Sequence, residues 1–257
     1  MNASQMWTSY YTIVRKEVVR LFRIWTQTFL PPVITTALYF LIFGKFIGSQ
    51  IGNINGVPYM EFIVPGLVMM SVIMQSFMNA AFTFYMAKFQ KTLEEVQVSP
   101  TPYLLVILGH VSAAVIRGMV TAGIILVVAL FFTPLHVYSF ALTILFIFLA
   151  SLLFSLAGLM NGVFANSFDT VQIFPTFILT PLTYLGGVFY SIKVLGGAWQ
   201  TVSYFNPIVY IVNGFRYGLL GTSDVNVWTS FAVLAVLIAI MIMANWYVFK
   251  TGRGLRA

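Results

Sequence analysis

Long apolar runs free of charged side chains dominate the chain. Ile24–Gly44, Phe62–Ala87, Gly118–Phe168, Thr170–Ile192, Val194–Phe215 and Val225–Phe249 contain no Asp, Glu, Lys or Arg. About 20 mostly apolar residues in a helix cross a hydrocarbon core of about 30 Å. The run Gly118–Phe168 is long enough for two crossings, with Thr133-Pro134-Leu135-His136 as the turn between them. Barrel strands would give short alternating segments instead of continuous runs. The pattern predicts an all-α membrane protein with six transmembrane helices. The spans cover about 26–46, 60–86, 111–132, 139–164, 170–190 and 227–249.

The run Val194–Phe215 is excluded from the spans. Gly196-Gly197 and Asn206-Pro207 break it into pieces too short to cross. Leaving it out puts both termini on one side with Arg15, Lys16, Arg20, Arg23, Lys88, Lys91, Arg117, Lys250, Arg253 and Arg256. The other side keeps Lys45, Lys193 and Arg216, and basic residues mark the cytoplasmic side. Residues 194–220 are then expected to be re-entrant from the outer face. Residues 4–25 precede the first span. Their Trp7, Tyr10, Tyr11, Val14, Val18, Leu21, Phe22 and Trp25 fill a helical arc of about 120° that excludes Arg15, Lys16, Arg20 and Arg23. That division predicts an amphipathic helix lying in the membrane interface. The early charges also interrupt any apolar core of a cleavable signal peptide.

Polar positions inside the spans are few and ordered. Ser71, Gln75, Asn79 and Thr83 recur every four residues on span two, beside Met70, Met74 and Met78. Gln172, Thr176, Thr180 and Tyr184 do the same on span five. Such side chains seek protein partners or a cavity. Two readings stand: a translocation path with adaptable Met walls, or hydrogen bonding between helices and onto their own backbones. On span four, Ser151, Ser155, Gly158 and Gly162 form small-xxx-small pairs that favour close packing. Gly44, Gly48, Gly52 and Gly56 read as flexibility where span one becomes a loop. Arg117 sits at the inner end of span three, where its side chain can reach lipid phosphates. Glu61 and Arg216 share the outer face, either as a pair or separately solvated. Asp169 reads as the helix cap of span five.

Composition narrows the picture. Apolar residues make up 60% of the chain and charged ones 7%, against about 25% in soluble domains, so the surface cannot be covered for water. The net charge of +7 reads as membrane orientation and not as nucleic-acid binding. There is no Cys, and His110 and His136 are far apart, so thiolate or metal chemistry has no candidate ligands. No G-x-S-x-G elbow, phosphate-binding G-x-x-x-x-G-K-[ST] or chain of buried carboxylates occurs. If this protein pumps, a partner supplies the energy.

Lys88–Pro102, KFQKTLEEVQVSPTP, joins spans two and three on the cytoplasmic side. Its Thr92-Leu93-Glu94 followed by Ser99-Pro100 resembles the coupling segment of type-2 ABC transporter permeases. Phe62-Ile63-Val64-Pro65-Gly66-Leu67 resembles the family's start of span two. Asn161-Gly162, Pro181-Leu182, Gly186-Gly187-Val188-Phe189 and Asn206-Pro207 resemble its C-terminal signature. The resemblance covers essentially all of 1–257 and implies a single type-2 ABC transmembrane domain of a bacterial cytoplasmic (inner) membrane exporter. It further implies a second copy of the chain and two copies of a separate ATP-binding subunit, which hold the ATP and magnesium; this chain binds no cofactor. Spans two and five of each copy would line the central path. Leu93, Glu94, Glu95 and Val96 are expected to contact the ATP-binding subunit. The alternatives are a channel or secondary carrier acting alone, or a membrane assembly protein with no transport role.

Overall fold

The computed structural model describes residues 2–54, 56–93 and 101–254. The chain is an all-α multi-span membrane protein, and among the described residues five helices are long and apolar enough to cross a membrane. These are α2 (Trp25–Ile51), α3 (Tyr59–Phe89), α4 (Tyr103–Leu130), α5 (Phe140–Phe164) and α9 (Val227–Thr251). Before them runs α1 (Ala3–Arg23). Between α5 and α9 lie the interrupted helix α6 (168–184) and the shorter α7 (Ala198–Tyr204) and α8 (Pro207–Leu220). Asn53–Ile54 and Val57–Pro58 form a small antiparallel ladder between α2 and α3.

The core is built around α3. Its most apolar window is 67% buried within the chain, against 17% for both α2 and α9. α3 packs most extensively on α5 and α4. The small residues make this possible. A Cβ at Gly158 would overlap the carbonyl oxygen of Phe77, and one at Gly162 would crowd that of Ala81. At Gly118 it would meet the hydroxyls of Ser76 and Ser151. The Oγ atoms of Ser76, Ser151 and Ser155 are buried without a hydrogen-bond partner among the described residues. These serines therefore act by being small, as expected of a small-xxx-small interface.

Several local readings are corrected. Gly44 and Gly48 are not loop hinges: they lie on helical backbone and face Met60 and Tyr59. Asp169 stands in the first turn of α6, but the cap is Ser167, whose hydroxyl accepts the Thr170 N–H at 3.1 Å. α6 is not one regular span: a π-helical stretch, Pro175–Leu179, separates two α-helical pieces. Pro181 withholds a backbone donor here, and the Thr180 hydroxyl donates to the Pro175 carbonyl at 2.9 Å.

α1 leans on the first half of α4. The Tyr10 hydroxyl donates to Ser112 at 2.9 Å, and Ile13 packs on Gly109. Glu17 and Leu21 are buried on this side. Trp7, Tyr11, Phe22 and Trp25 point away from the bundle, between 53% and 67% exposed.

Candidate functional site

One side of the middle of α3 is left open. Met70, Ser71, Met74, Gln75 and Met78 are half-buried there, whereas the residues around them are sealed in the core. α2 forms the facing wall, with Pro31, Pro32, Thr35, Thr36 and Tyr39. Together they enclose a cavity of about 300 Å³. The Thr36 and Ser71 hydroxyls are hydrogen-bonded across it at 3.1 Å. At one end the Tyr39 and Tyr184 hydroxyls meet at 3.0 Å and join α2 to α6. Tyr39, Phe43 and Tyr184 surround the ring of Phe189 there.

The α3 stripe divides between cavity and core. Ser71 and Gln75 line the cavity, whereas Asn79 and Thr83 are buried, with Thr83 near the Ala80 carbonyl at 3.4 Å. The division follows from geometry: steps of four residues on a 3.6-residue helix drift around the axis, so the later members turn inward. On α6, Gln172 and Thr176 are exposed, Thr180 is bonded to its own backbone, and Tyr184 is held by Tyr39. Phe174 stacks on Phe77 of α3 at 5.3 Å, with ring planes 11° apart, so α6 borders the same helix.

Arg117 departs from its expected position. Pro102 holds an extended backbone, ψ 137°, and α4 begins directly after it at Tyr103. Arg117 then falls at the midpoint of a 28-residue helix, not at its end. Its guanidinium turns toward α3. Nε donates to Oε1 of Gln75 at 2.9 Å, Nη2 donates to the same oxygen, and Nη1 donates to Oδ1 of Asn79 at 3.1 Å. Two stripe residues thus hold a charged partner that spacing alone did not connect to them.

Arg216 also has partners that spacing did not single out. Arg216 on α8 is 1% exposed and faces Asp224 at 3.9 Å, not Glu61. Its Nη2 donates to the Gly187 carbonyl at 2.8 Å, and its guanidinium carbon lies 3.9 Å from the centre of the Phe62 ring. Asp224 accepts from the Ser191 hydroxyl at 2.7 Å and from the Ile192 N–H at 3.0 Å. The left-handed turn at Gly221, φ 70°, brings Asp224 back beside α8.

At the far end of α3, Lys88 reaches the end of α5 and donates to the carbonyls of Val163 at 3.2 Å and Ala165 at 3.5 Å. A cation on the last carbonyls of a helix is favoured by its dipole. Leu93 is buried, 4% exposed. Glu94, Glu95 and Val96 lie outside the described residues. Among the described residues no group of His, Cys, Asp or Glu could hold a metal ion.

The family model for the ABC-2 type transporter matches residues 8–220. The chain is 50% identical over 251 residues to the inner membrane transport permease YadH of Escherichia coli strain K12, covering 98% of both proteins. It is 26% identical over 193 residues to nodulation protein J of Rhizobium meliloti strain 1021, covering 74% of this chain and 73% of that protein. A nodulation protein J of Rhizobium leguminosarum bv. viciae is 22% identical over 209 residues, covering 81% of both.

Proposed function

Because the chain belongs to the ABC-2 type transporter family, as a membrane permease subunit, we propose that it forms one half of a path that a separate ATP-binding subunit drives. The relative's name, inner membrane transport permease, supports a bacterial inner membrane for the chain. The five long helices and α6 make six crossings, with α7 and α8 re-entrant from outside. α1 lies along the inner interface, where its outward aromatic face meets lipid. The charge bias that supports this topology survives the new positions of both arginines. Removing Arg117 from the ten inner residues leaves nine, and removing Arg216 from the three outer ones leaves two, Lys45 and Lys193.

Two copies of the chain enclose the path, and two ATP-binding subunits below them bind ATP and magnesium. The observation that carries the path is the open face of α3. It combines Ser71 and Gln75 with three methionines, and α6, which leaves Gln172 and Thr176 exposed, packs on the same helix through Phe174 and Phe77. A polar edge left uncovered on a membrane helix needs water or a partner helix. A second copy supplies the partner, and the Met side chains adapt to cargo of varied shape.

Force enters through residues 88–102. Lys88 bonds to the end of α5, so the start of this segment is tied to two spans and not to one. A segment held there moves both when the ATP-binding subunit moves. In this reading Glu94, Glu95 and Val96 form the contact, the acidic pair supplying its charge, while the buried Leu93 anchors the segment to this chain's own core. Reversing both charges, Glu94→Lys with Glu95→Lys, should reduce copurification of the ATP-binding subunit at least about tenfold, since disrupted interface charge pairs commonly cost 2–5 kcal/mol. Membrane levels of the permease should stay normal. Undiminished copurification and export in the double variant would remove the acidic pair from the contact.

A further inference from the structure

We infer that Arg117, Gln75 and Asn79 form a receptor for a phosphate-class anion opening into the α2–α3 cavity, whether the phosphate arrives as a lipid headgroup or on a free solute. The inference rests on the path reading only in naming the chemistry of the cargo; binding itself needs no ATP-binding subunit.

Charge is the first argument. Arg216, which is buried, and Arg117, which is half-buried, differ in how they are balanced. Arg216 faces the carboxylate of Asp224. Arg117 is bonded to two neutral amides and, among the described residues, to no carboxylate. Glu17 on the adjoining α1 is paired with Arg20 at 3.3 Å, and the positive field of Arg20 reaches Arg117. A guanidinium within a span and without a counter-ion is costly, and an anion is the ligand that relieves it.

Donor polarity is the second argument. A guanidinium only donates, so Gln75 and Asn79 must both turn their oxygens toward it. Their amide NH₂ groups are thereby directed away from it and toward other partners. Three of the five guanidinium N–H groups are used, and two remain. The unspent capacity of the cluster is mostly donors: two guanidinium N–H groups and two amide NH₂ groups, against one remaining lone pair on Asn79 Oδ1. That is the complement of a phosphate oxygen set and a poor match for a cation or a neutral amide.

Access is the third argument. Gln75 lines the cavity, whose other walls include Pro31, Pro32, Met70 and Met74. An anionic group on the cluster would leave an attached apolar chain against these walls. α1 meets α4 at Gly109 and Ser112, five to eight residues before Arg117. At 1.5 Å per residue the cluster lies about 7–12 Å deeper than that contact, within reach of the inner leaflet.

The test uses the purified full chain in a neutral detergent. Its thermal midpoint is followed against dioctanoyl phosphatidylglycerol, dioctanoylglycerol and inorganic phosphate. The phospholipid should bind at least about tenfold more tightly than the phosphate-free diacylglycerol. Gln75→Glu gives Arg117 an internal carboxylate of nearly the same shape, so it should keep the fold and abolish that preference. Asn79→Asp applies the same logic if the first variant fails to fold. Saturation by inorganic phosphate, with displacement of the phospholipid, identifies a free solute as the source; saturation by the phospholipid alone identifies a headgroup. Equal binding of phospholipid and diacylglycerol by the native chain would overturn the inference. So would a preference that survives in a folded Gln75→Glu or Asn79→Asp variant. The assay contains no ATP-binding subunit, so its failure leaves the transporter reading intact. A chain that binds phospholipid but never couples to an ATPase would sink the transporter reading alone.

Discussion

Replacing Asp224 by alanine should destabilise the folded chain by about 3–5 kcal/mol, because it strands the buried charge of Arg216. Both side chains are 1% exposed. The Gly187 carbonyl and the Phe62 ring remain near the guanidinium but carry no full negative charge. Ser191 and the Ile192 N–H lose their acceptor at the same time. The order among variants is the diagnostic. Asp224→Asn keeps a hydrogen-bond acceptor and should lose less. Arg216→Met combined with Asp224→Asn removes both charges and should lie closest to the native chain. Thermal midpoints in detergent measure this. If Asp224→Ala costs the same with and without Arg216, the pair is not coupled and the account of this region is wrong.

Gly158→Val should be nearly as damaging, at about 3 kcal/mol, the upper part of the range for overpacked cores. The first added carbon already overlaps the Phe77 carbonyl oxygen. Backbone cannot swing aside as a side chain would, so α3 and α5 must separate along the most extensive contact in the bundle. Gly123 on α4 is the internal control: nothing lies within 4 Å of a Cβ there. Gly123→Val should change stability by less than about 0.5 kcal/mol. Membrane levels and melting midpoints of the two variants give the comparison. Equal effects at both sites would mean that close helix approach is not what holds the core.

The five long helices were legible because their signal is additive: each run of apolar residues without charge declares itself. Gly158 and Gly162 were legible for the same reason, since spacing by four puts both on one face. The misreadings come from features that need a partner in space. Starting the third span at 111 instead of 103 moved Arg117 from the middle of a helix to its end. That change turned a hydrogen-bonded group into a lipid-facing one. Arg216 and Glu61 share the outer face in the sequence, which left a pair and separate solvation both open. Choosing Asp224 requires knowing that Gly221 reverses the chain. Pro175 and Pro181 were in plain view on α6, but proline inside a span permits a kink, a π-helical stretch or nothing visible. The i, i+4 stripes marked real polar positions. Their roles differ residue by residue: Thr180 bonds its own helix, Asn79 bonds Arg117, and Gln75 bonds Arg117 while lining the cavity.

The central claim is that the open edge of α3 and the exposed edge of α6 border a water-accessible path between two copies. The chain contains no Cys, so single cysteines at Gln75 and Thr176 can be read without background. A water-soluble thiol reagent reacts with the thiolate, which forms where water reaches and not in lipid. In membranes that also contain the ATP-binding subunit, both positions should react in at least one nucleotide state, and their rates should change when ATP is added. Complete protection of both positions in every nucleotide state would contradict the path and leave helix packing as the role of these residues.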